Sequence, residues 1–435
     1  MKNIVNIMDE MRAGQHKDLL LDIYVDESLI SYQEARYINA MEEYVKLFGE
    51  QEVEIYSAAG RSEVGGNHTD HQHGMVLATS LNLDAIAVVN KNEDGAIRIV
   101  SAIKSGDSYK DMTIEVNAND IEKRDDEEGT SYALVRGVLD GLKKRGYEIG
   151  GFNAYITSDV FVGSGLSSSA AFEVIVGTII DGLYNDMKIS MVEIAQVGQY
   201  AENVYFGKPS GLMDQMACAV GGLIHIDFAD PTKPVVNKVE VDFEEHSYSL
   251  CIVDTKGSHD DLTDEYAAIP MEMKPIAAHF GKEFLRDVDR EEFYAELPVL
   301  REKAGDRAVL RALHFFLDNE RVGNQVKALN NGEFDEFLRM IKESGDSSYK
   351  YLQNIYSIKN VHVQNVSIAL AISEHILQHE KAGVSRVHGG GFAGTIQAFV
   401  KNDFVPTYRG AMDKIFGEGS CHVLKVRKYG GMKVM

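Results

Sequence analysis

The chain has 435 residues with 44% apolar and 26% charged side chains, enough to bury a large core across two or three domains without disulfide or metal staples. A formal charge of −23 with no strong basic patch argues against a nucleic-acid binder that works by neutralising phosphates. Three scattered cysteines, Cys218, Cys251 and Cys421, show no CxxC spacing, which argues against a cysteine zinc site and for a reducing compartment.

Residues 1–50 read as polar helix, with Leu19, Leu20 and Ile23 at helical spacing, and are expected to form a cap or lead-in. The first residues carry acids and no long apolar run, so no signal peptide is expected. No stretch approaches the roughly 18–20 apolar residues of a membrane helix, and a cytoplasmic protein without a membrane partner is expected. From Glu54 the chain turns β-rich, first EIYSAAGR and then MVLATSLNLDAIAVVN, broken by a loop of Gly, His and Asp. Asn92 to Gly95 carries the residues of a hairpin turn. Ser131–Lys144 predicts an amphipathic helix and Gly151–Thr157 a strand. A Gly/Ser loop at 163–169 then runs into an apolar helix, and Val192–Tyr205 predicts another. Strands are expected at 222–228 and 248–253, and mainly helix from Asp264 to Ser347. A helix is expected over Val361–His379, followed by a glycine turn from His388 to Gly394, the strand TIQAFV, a helix at 408–417 and a strand at 421–427. Helical and strand runs partly segregate, which predicts an α+β fold in two lobes, 1–220 and 221–435.

Three loops carry chemistry. Gly163-Ser164-Gly165-Leu166-Ser167-Ser168-Ser169 opens a helix. Its glycines allow close backbone approach to an anion, and a helix start offers unpaired N–H groups to phosphate. A serine there can ligate Mg²⁺. The loop is not a Walker loop, since no GK[ST] follows, and by itself it also fits an ordinary capped helix. The second loop, Gly60-Arg61-Ser62-Glu63-Val64-Gly65-Gly66-Asn67-His68-Thr69-Asp70-His71-Gln72-His73-Gly74, packs ionisable groups between two apolar strands, as a polar small ligand requires. The histidine spacing also admits a metal site or a solvated turn, and it is not diagnostic. The third, Phe206-Gly207-Lys208-Pro209-Ser210-Gly211-Leu212-Met213-Asp214-Gln215, drives an acid into an apolar segment, where it needs a partner or a task. Asp214 also fits a simple helix N-terminal acid.

In this order, and with the closing turn Gly389-Gly390-Gly391-Phe392-Ala393-Gly394, the loops resemble the GHMP small-molecule kinases, most closely the galactokinases. Residues 60–74 look like GRxNLIGEHTDYxGG, 163–170 like GxGLSSSA, 207–215 like GxPCGIMDQ and 389–394 like GGGFGG. The resemblance runs from about residue 55 to the C-terminus. It implies a two-lobed α+β fold with ATP and a sugar in the cleft between lobes, and transfer of phosphate to the sugar C1 hydroxyl. Carried over residue by residue, it implies Asp214 as the catalytic aspartate with Arg61 neutralising charge beside it. It implies Ser169 and Glu202 as Mg²⁺ ligands, and the backbone of Gly163, Ser164, Gly165, Leu166, Ser167, Ser168 and Ser169 as the phosphate cradle. It places His68, Asp70 and Tyr266 at the sugar hydroxyls. No obligate protein partner is implied.

Departures bear on the substrate. The family's Glu, which meets the sugar C6 hydroxyl, is Asn67 here, so a carboxylate at C6 would no longer be repelled. Asp70-His71-Gln72 looks like the galacturonate-directed branch. Galactose is therefore the expected substrate, with galacturonate or another C6-modified sugar as the alternative. Lys256-Gly257-Ser258-His259 replaces NVRH, Phe161 a proline, His388 a threonine and Ala393 a glycine. A non-catalytic sugar sensor on the same fold is a further reading, but such relatives lose phosphate-loop residues that are present here.

Overall fold

The computed structural model describes residues 1–105, 108–160, 166–257 and 262–435. Among these residues the fold is α+β, built on two sheets of nine and four strands. The nine-stranded sheet centres on two long antiparallel strands, Glu52–Gly65 and Met75–Lys91. Both are buried along nearly their whole length, which suits their runs of Val, Ile and Ala. One face is covered by the helices Ser131–Lys144, Ser168–Asn185, Met191–Tyr200 and Met213–Val220. The other is covered by three N-terminal helices, Ile4–Arg12, Lys17–Tyr24 and Ile30–Phe48. Of the residues expected on their inner side, Leu20 and Ile23 are fully buried and Leu19 lies at the margin. They pack with Tyr37 and Met41 on Ile55, Ile86 and Val88 of the sheet, so the first 50 residues form a cap.

The turn at Asn92–Gly95 exists, but the flanking strands do not pair as a hairpin. Phe152–Ser158 inserts between them, antiparallel to Met75–Lys91 and parallel to Ala96–Ser105. Its apolar residues Phe152, Ala154 and Ile156 belong to the large core, a burial that a place between two strands provides. Leu223–Asp227 also joins this sheet, against Met75–Thr79. The division expected at 220/221 falls between the helix Met213–Val220 and the strand Leu223–Asp227. The second sheet, in the order Gly383–Val387, Thr395–Lys401, Tyr248–Asp254 and Cys421–Leu424, is antiparallel throughout. The helices Asn365–His379 and Val405–Phe416 back it. Helices from Thr263 to Phe316 form a further core around Phe293 and Phe315, while Phe334–Ser347 packs into the large core. Among the described residues, no helix is long and apolar enough to cross a membrane.

Two local features aim the site. The helix Met191–Tyr200 starts on a capping box of Ser190 and Glu193, then widens into a π-turn over Ala201–Phe206 that carries Glu202. π-turns of this kind interrupt the regular ladder and re-aim side chains. Ser167 precedes the helix Ser168–Asn185 in a left-handed conformation, φ 58°, which a non-glycine residue holds only where its surroundings fix it.

Candidate active site

Arg61 does not lie in a loop. It is the tenth residue of Glu52–Gly65, just past an irregularity in the pairing with Met75–Lys91. Its Nε donates to Asp214 Oδ1 and its Nη2 to Asp214 Oδ2, both at 2.8 Å. This fork fixes both carboxylate oxygens at once. Asp214 sits in the first turn of Met213–Val220, where the helix N-terminus also favours negative charge. Ser167 Oγ adds a third donor to Oδ2 at 2.5 Å. Burial pushes the Asp214 carboxyl up. The Arg61 charge, the hydrogen bonds from Arg61 and Ser167 and the Lys208 charge outweigh it and hold the group below the usual carboxylate range.

A second acidic pair lies alongside. Ser169 Oγ is 3.4 Å from Glu202 Oε1, and Lys208 Nζ donates to the same oxygen at 2.8 Å. Gln215, the residue after Asp214, donates from Nε2 to Glu202 Oε2 at 2.8 Å and to Glu173 Oε2 at 3.0 Å. Burial, then the neighbouring Glu202 charge, raises the Glu173 carboxyl well above its ordinary value. Among the described residues, no group of three or more His, Cys, Asp or Glu is gathered as a metal cluster. The hydroxyl–carboxylate pair Ser169/Glu202 nonetheless fits a hard cation such as Mg²⁺, which takes few protein oxygens and completes its shell with phosphate and water.

The loop after Arg61 meets the closing glycine turn. His68 Nε2 lies 3.1 Å from Gly390 O, and its ring stacks on His71. A carbonyl only accepts, so Nε2 carries the proton. Burial, then His71, lowers the His68 pKa to about 3, and the ring stays neutral. Asp70 lies so close to Gly211 that a Cβ there would fall 1.9 Å from its Oδ2, which joins the first loop to the third. Tyr266 Oη donates to Gly391 O at 2.8 Å, and its ring stands edge-on to Phe392. Gly391 has φ +81°, and a Cβ would meet Asn354 O at 1.9 Å, so only glycine fits.

Asn67 is fully buried and every polar group of its side chain is engaged. Its Nδ2 donates to Gly389 O at 2.7 Å and to Glu63 Oε1 at 3.1 Å. Its Oδ1 accepts from Asn354 Nδ2 at 2.8 Å and Ser348 Oγ at 3.1 Å. Glu63 in turn pairs with buried Arg386 at 2.5 Å. Burial raises the Glu63 carboxyl to about 7 against the pull of Arg386 and Arg61. The family pattern quoted above has an amide at the place of Glu63 and an acid at the place of Asn67. Here the two have exchanged places, and they bond to each other.

The structure thus gathers Arg61, Asp214, Ser167, Ser169 and Glu202 into one cluster. His68, Asn67 and Tyr266 gather around the glycine turn, and Asp70 stands against Gly211 of the third loop. Leu166 and Ser168 lie at the start of the helix Ser168–Asn185. Gly163, Ser164 and Gly165, with Phe161, Ser258 and His259, lie outside the described residues. Lys208, Gln215, Glu173, Glu63 and Arg386 were not singled out from the sequence. Only Gln215, inside the quoted GLMDQ match, carried a signal there.

Residues 133–222 match the family model of the GHMP kinases N terminal domain, and residues 42–91 match the galactokinase galactose-binding signature. A galactokinase of Streptomyces coelicolor is 30% identical over 377 residues, covering 86% of this chain and 92% of that protein. The crystal structure of Lactococcus lactis galactokinase complexed with galactose superposes with a TM-score of 0.75 at 25% identity, over 90% of this chain and 98% of that one. A mevalonate kinase structure shares the fold, with a TM-score of 0.56 at 15% identity over 86% of this chain and 99% of that one.

Proposed function

The chain belongs to the galactokinase family, and on that premise we propose that it transfers the γ-phosphoryl group of ATP to the C1 hydroxyl of galactose, giving galactose 1-phosphate and ADP. The observation that carries this reading is the Asp214–Arg61 fork beside the helix start at Ser168. The helix start offers donors to a phosphate, and the fork stands where an acceptor hydroxyl needs an oriented anion.

Phosphoryl transfer asks mainly for positioning and charge neutralisation. Ser169 and Glu202 would hold Mg²⁺, which supplies charge neutralisation at the phosphate oxygens. Asp214 accepts a hydrogen bond from the C1 hydroxyl and orients its lone pair. A carboxylate held this acidic is a weak base, so the proton leaves the hydroxyl late, as the new P–O bond forms. Arg61 keeps that carboxylate ionised. His68, Asp70 and Tyr266 close the sugar side. The reading includes a cytoplasmic setting and no obligate protein, nucleic-acid or membrane partner.

A coupled ADP-release assay with galactose, galacturonate, N-acetylgalactosamine, fucose and arabinose tests it. The highest kcat/KM is expected for galactose. A higher value for galacturonate would move the assignment to the uronate, and binding of sugar and ATP without turnover would make the protein a sensor.

Asn67→Glu bears on the C6 question. The substitution sets a second acid about 3 Å from Glu63 and removes the donor to Gly389 O. It is expected to cost about 2–4 kcal/mol of stability. It should also lower kcat/KM for galactose and galacturonate together, with their ratio nearly unchanged. Thermal melts and paired kinetics read this. A shift of the ratio toward galactose at unchanged Tm would mean that residue 67 faces the sugar.

A further inference from the structure

We propose that Lys208 is a catalytic cation of this site, a ligand of the terminal phosphate of ATP, carried on a backbone that is tied to Glu202. The inference rests on the kinase reading above only in taking ATP as the phosphate donor.

Lys208 follows Gly207, whose φ of +84° ends the π-turn Ala201–Phe206. The backbone N–H of Lys208 donates to Glu202 O at 3.1 Å, and its Nζ returns to Glu202 Oε1 at 2.8 Å. The residue is therefore tied at both ends to Glu202. The carboxylate is nearly inaccessible, with its side chain 4% exposed, while the lysine side chain is 58% exposed. The stem can thus swing without repacking the core. A pair on an open surface would be worth little and would have no required place. This one is set on a buried acid within the cluster that holds Asp214.

The oxygen that Lys208 contacts is also the one nearest Ser169 Oγ, at 3.4 Å. Ser169 and this oxygen of Glu202 would hold a divalent cation, and a bound cation would repel the ammonium from it. Besides Glu202, the carboxylates whose charge acts on Lys208 are Glu173, where burial disfavours the charge, and Asp214, whose two oxygens already accept from Arg61 and Ser167. The phosphate chain of the nucleotide is the anion left for the ammonium to meet. An ammonium offers a compact charge with three donors, suited to oxygens on which charge spreads during transfer. In that step the bond from the γ-phosphorus to the bridging oxygen breaks and its electron pair stays on ADP. The bond to the sugar O1 forms, the O1 proton leaves by way of Asp214, and Lys208 stays protonated throughout. In the pattern GxPCGIMDQ, Lys208 stands at the open position, so the motif itself assigns it no role.

The test compares Lys208→Met, Lys208→Gln and Lys208→Arg with the unsubstituted protein. Calorimetric titration of ATP and of ADP, in EDTA and again in Mg²⁺, reads the phosphate contact without any sugar. Lys208→Met and Lys208→Gln are expected to weaken ATP about tenfold while changing ADP no more than about twofold. They should lower kcat about 30-fold with the KM for galactose unchanged, and Lys208→Arg should recover part of the loss. If ATP and ADP weaken equally, or if kcat stays within about twofold, Lys208 is a structural ion pair and the proposal falls. The two readings fail separately. An ATP-selective loss in a protein that phosphorylates no sugar keeps Lys208 and removes the sugar kinase. Normal turnover of galactose by Lys208→Met does the reverse.

Discussion

Asp214→Asn is expected to lower kcat by about three orders of magnitude, while the affinity for ATP changes less than about threefold. Asparagine keeps the shape of the side chain and can still accept one hydrogen bond. It cannot stay anionic opposite Arg61, so the C1 hydroxyl loses its oriented acceptor and Arg61 loses its counter-ion. Arg61 is 5% exposed, and removing the charge opposite it costs stability as well as rate. The sign with pH is determinate. The folded state holds the Asp214 carboxyl below its unfolded value, so the stabilisation is complete above about pH 4 and fades as pH falls through the lowered value. The stability gap between the two proteins should therefore be flat from pH 5 to pH 8 and shrink in acid. For the same reason Asp214 contributes no acid limb to kcat above about pH 4. Turnover by Asp214→Asn near that of the unsubstituted protein would remove the residue from the chemistry, and ATP would then have to be handled elsewhere.

The parts of this site written in local chemistry were legible without coordinates. The helix Ser131–Lys144 follows from apolar spacing alone, and its ends agree with the expectation. The glycine turn at 389–394 and the acid at 214 stand out because Gly and Asp are costly where they are not needed. What stayed hidden is non-local. Nothing in Asn92–Gly95 says that Phe152–Ser158 will slip between the strands it joins. Asn67 looks like a sugar ligand in one dimension, yet its amide is drawn inward by Asn354 and Ser348, more than 280 positions away. The role of Gln215, bridging Glu173 and Glu202, requires two helices and a π-turn to converge. The helix expected from Val361 begins only at Asn365, because residues 361–364 are spent in turns ahead of it. The cap was expected as helix, but the charge that anchors it was not.

That charge sets the other large effect, which is on folding. Asp84 lies in the middle of Met75–Lys91 and is fully buried. Arg36 Nη1 from the cap donates to it at 2.7 Å, and Arg427 Nη1 from the C-terminal tail at 2.8 Å. Tyr24 Oη adds a bond at 2.9 Å and Ser57 Oγ a further one. One carboxylate thus joins three distant parts of the chain. Its burial pushes the carboxyl up, and the charges of Arg36 and Arg427 more than reverse that. Asp84→Asn leaves buried Arg427 opposite a neutral amide and Arg36 with Asp159 as its remaining carboxylate, and is expected to cost about 3–5 kcal/mol. The cost should be full at neutral pH and fall away below about pH 4, as the unsubstituted protein loses the same charge. Asp159 extends the effect to the site. Arg36 also pairs with Asp159 at 3.2 Å, and the Asp159 N–H donates to Asp84 O at 2.9 Å. Asp159 lies four residues before Gly163, so loosening it should raise the KM for ATP more than that for the sugar. Urea unfolding and two-substrate kinetics measure both parts. Removing all three charges at once, as Arg36→Met with Asp84→Leu and Arg427→Met, should recover much of the loss, because buried ion groups are often replaced by apolar packing at little cost. A change below about 1 kcal/mol in Asp84→Asn would mean that the arginines find solvent or other acceptors, and that the cap is held by its apolar face alone.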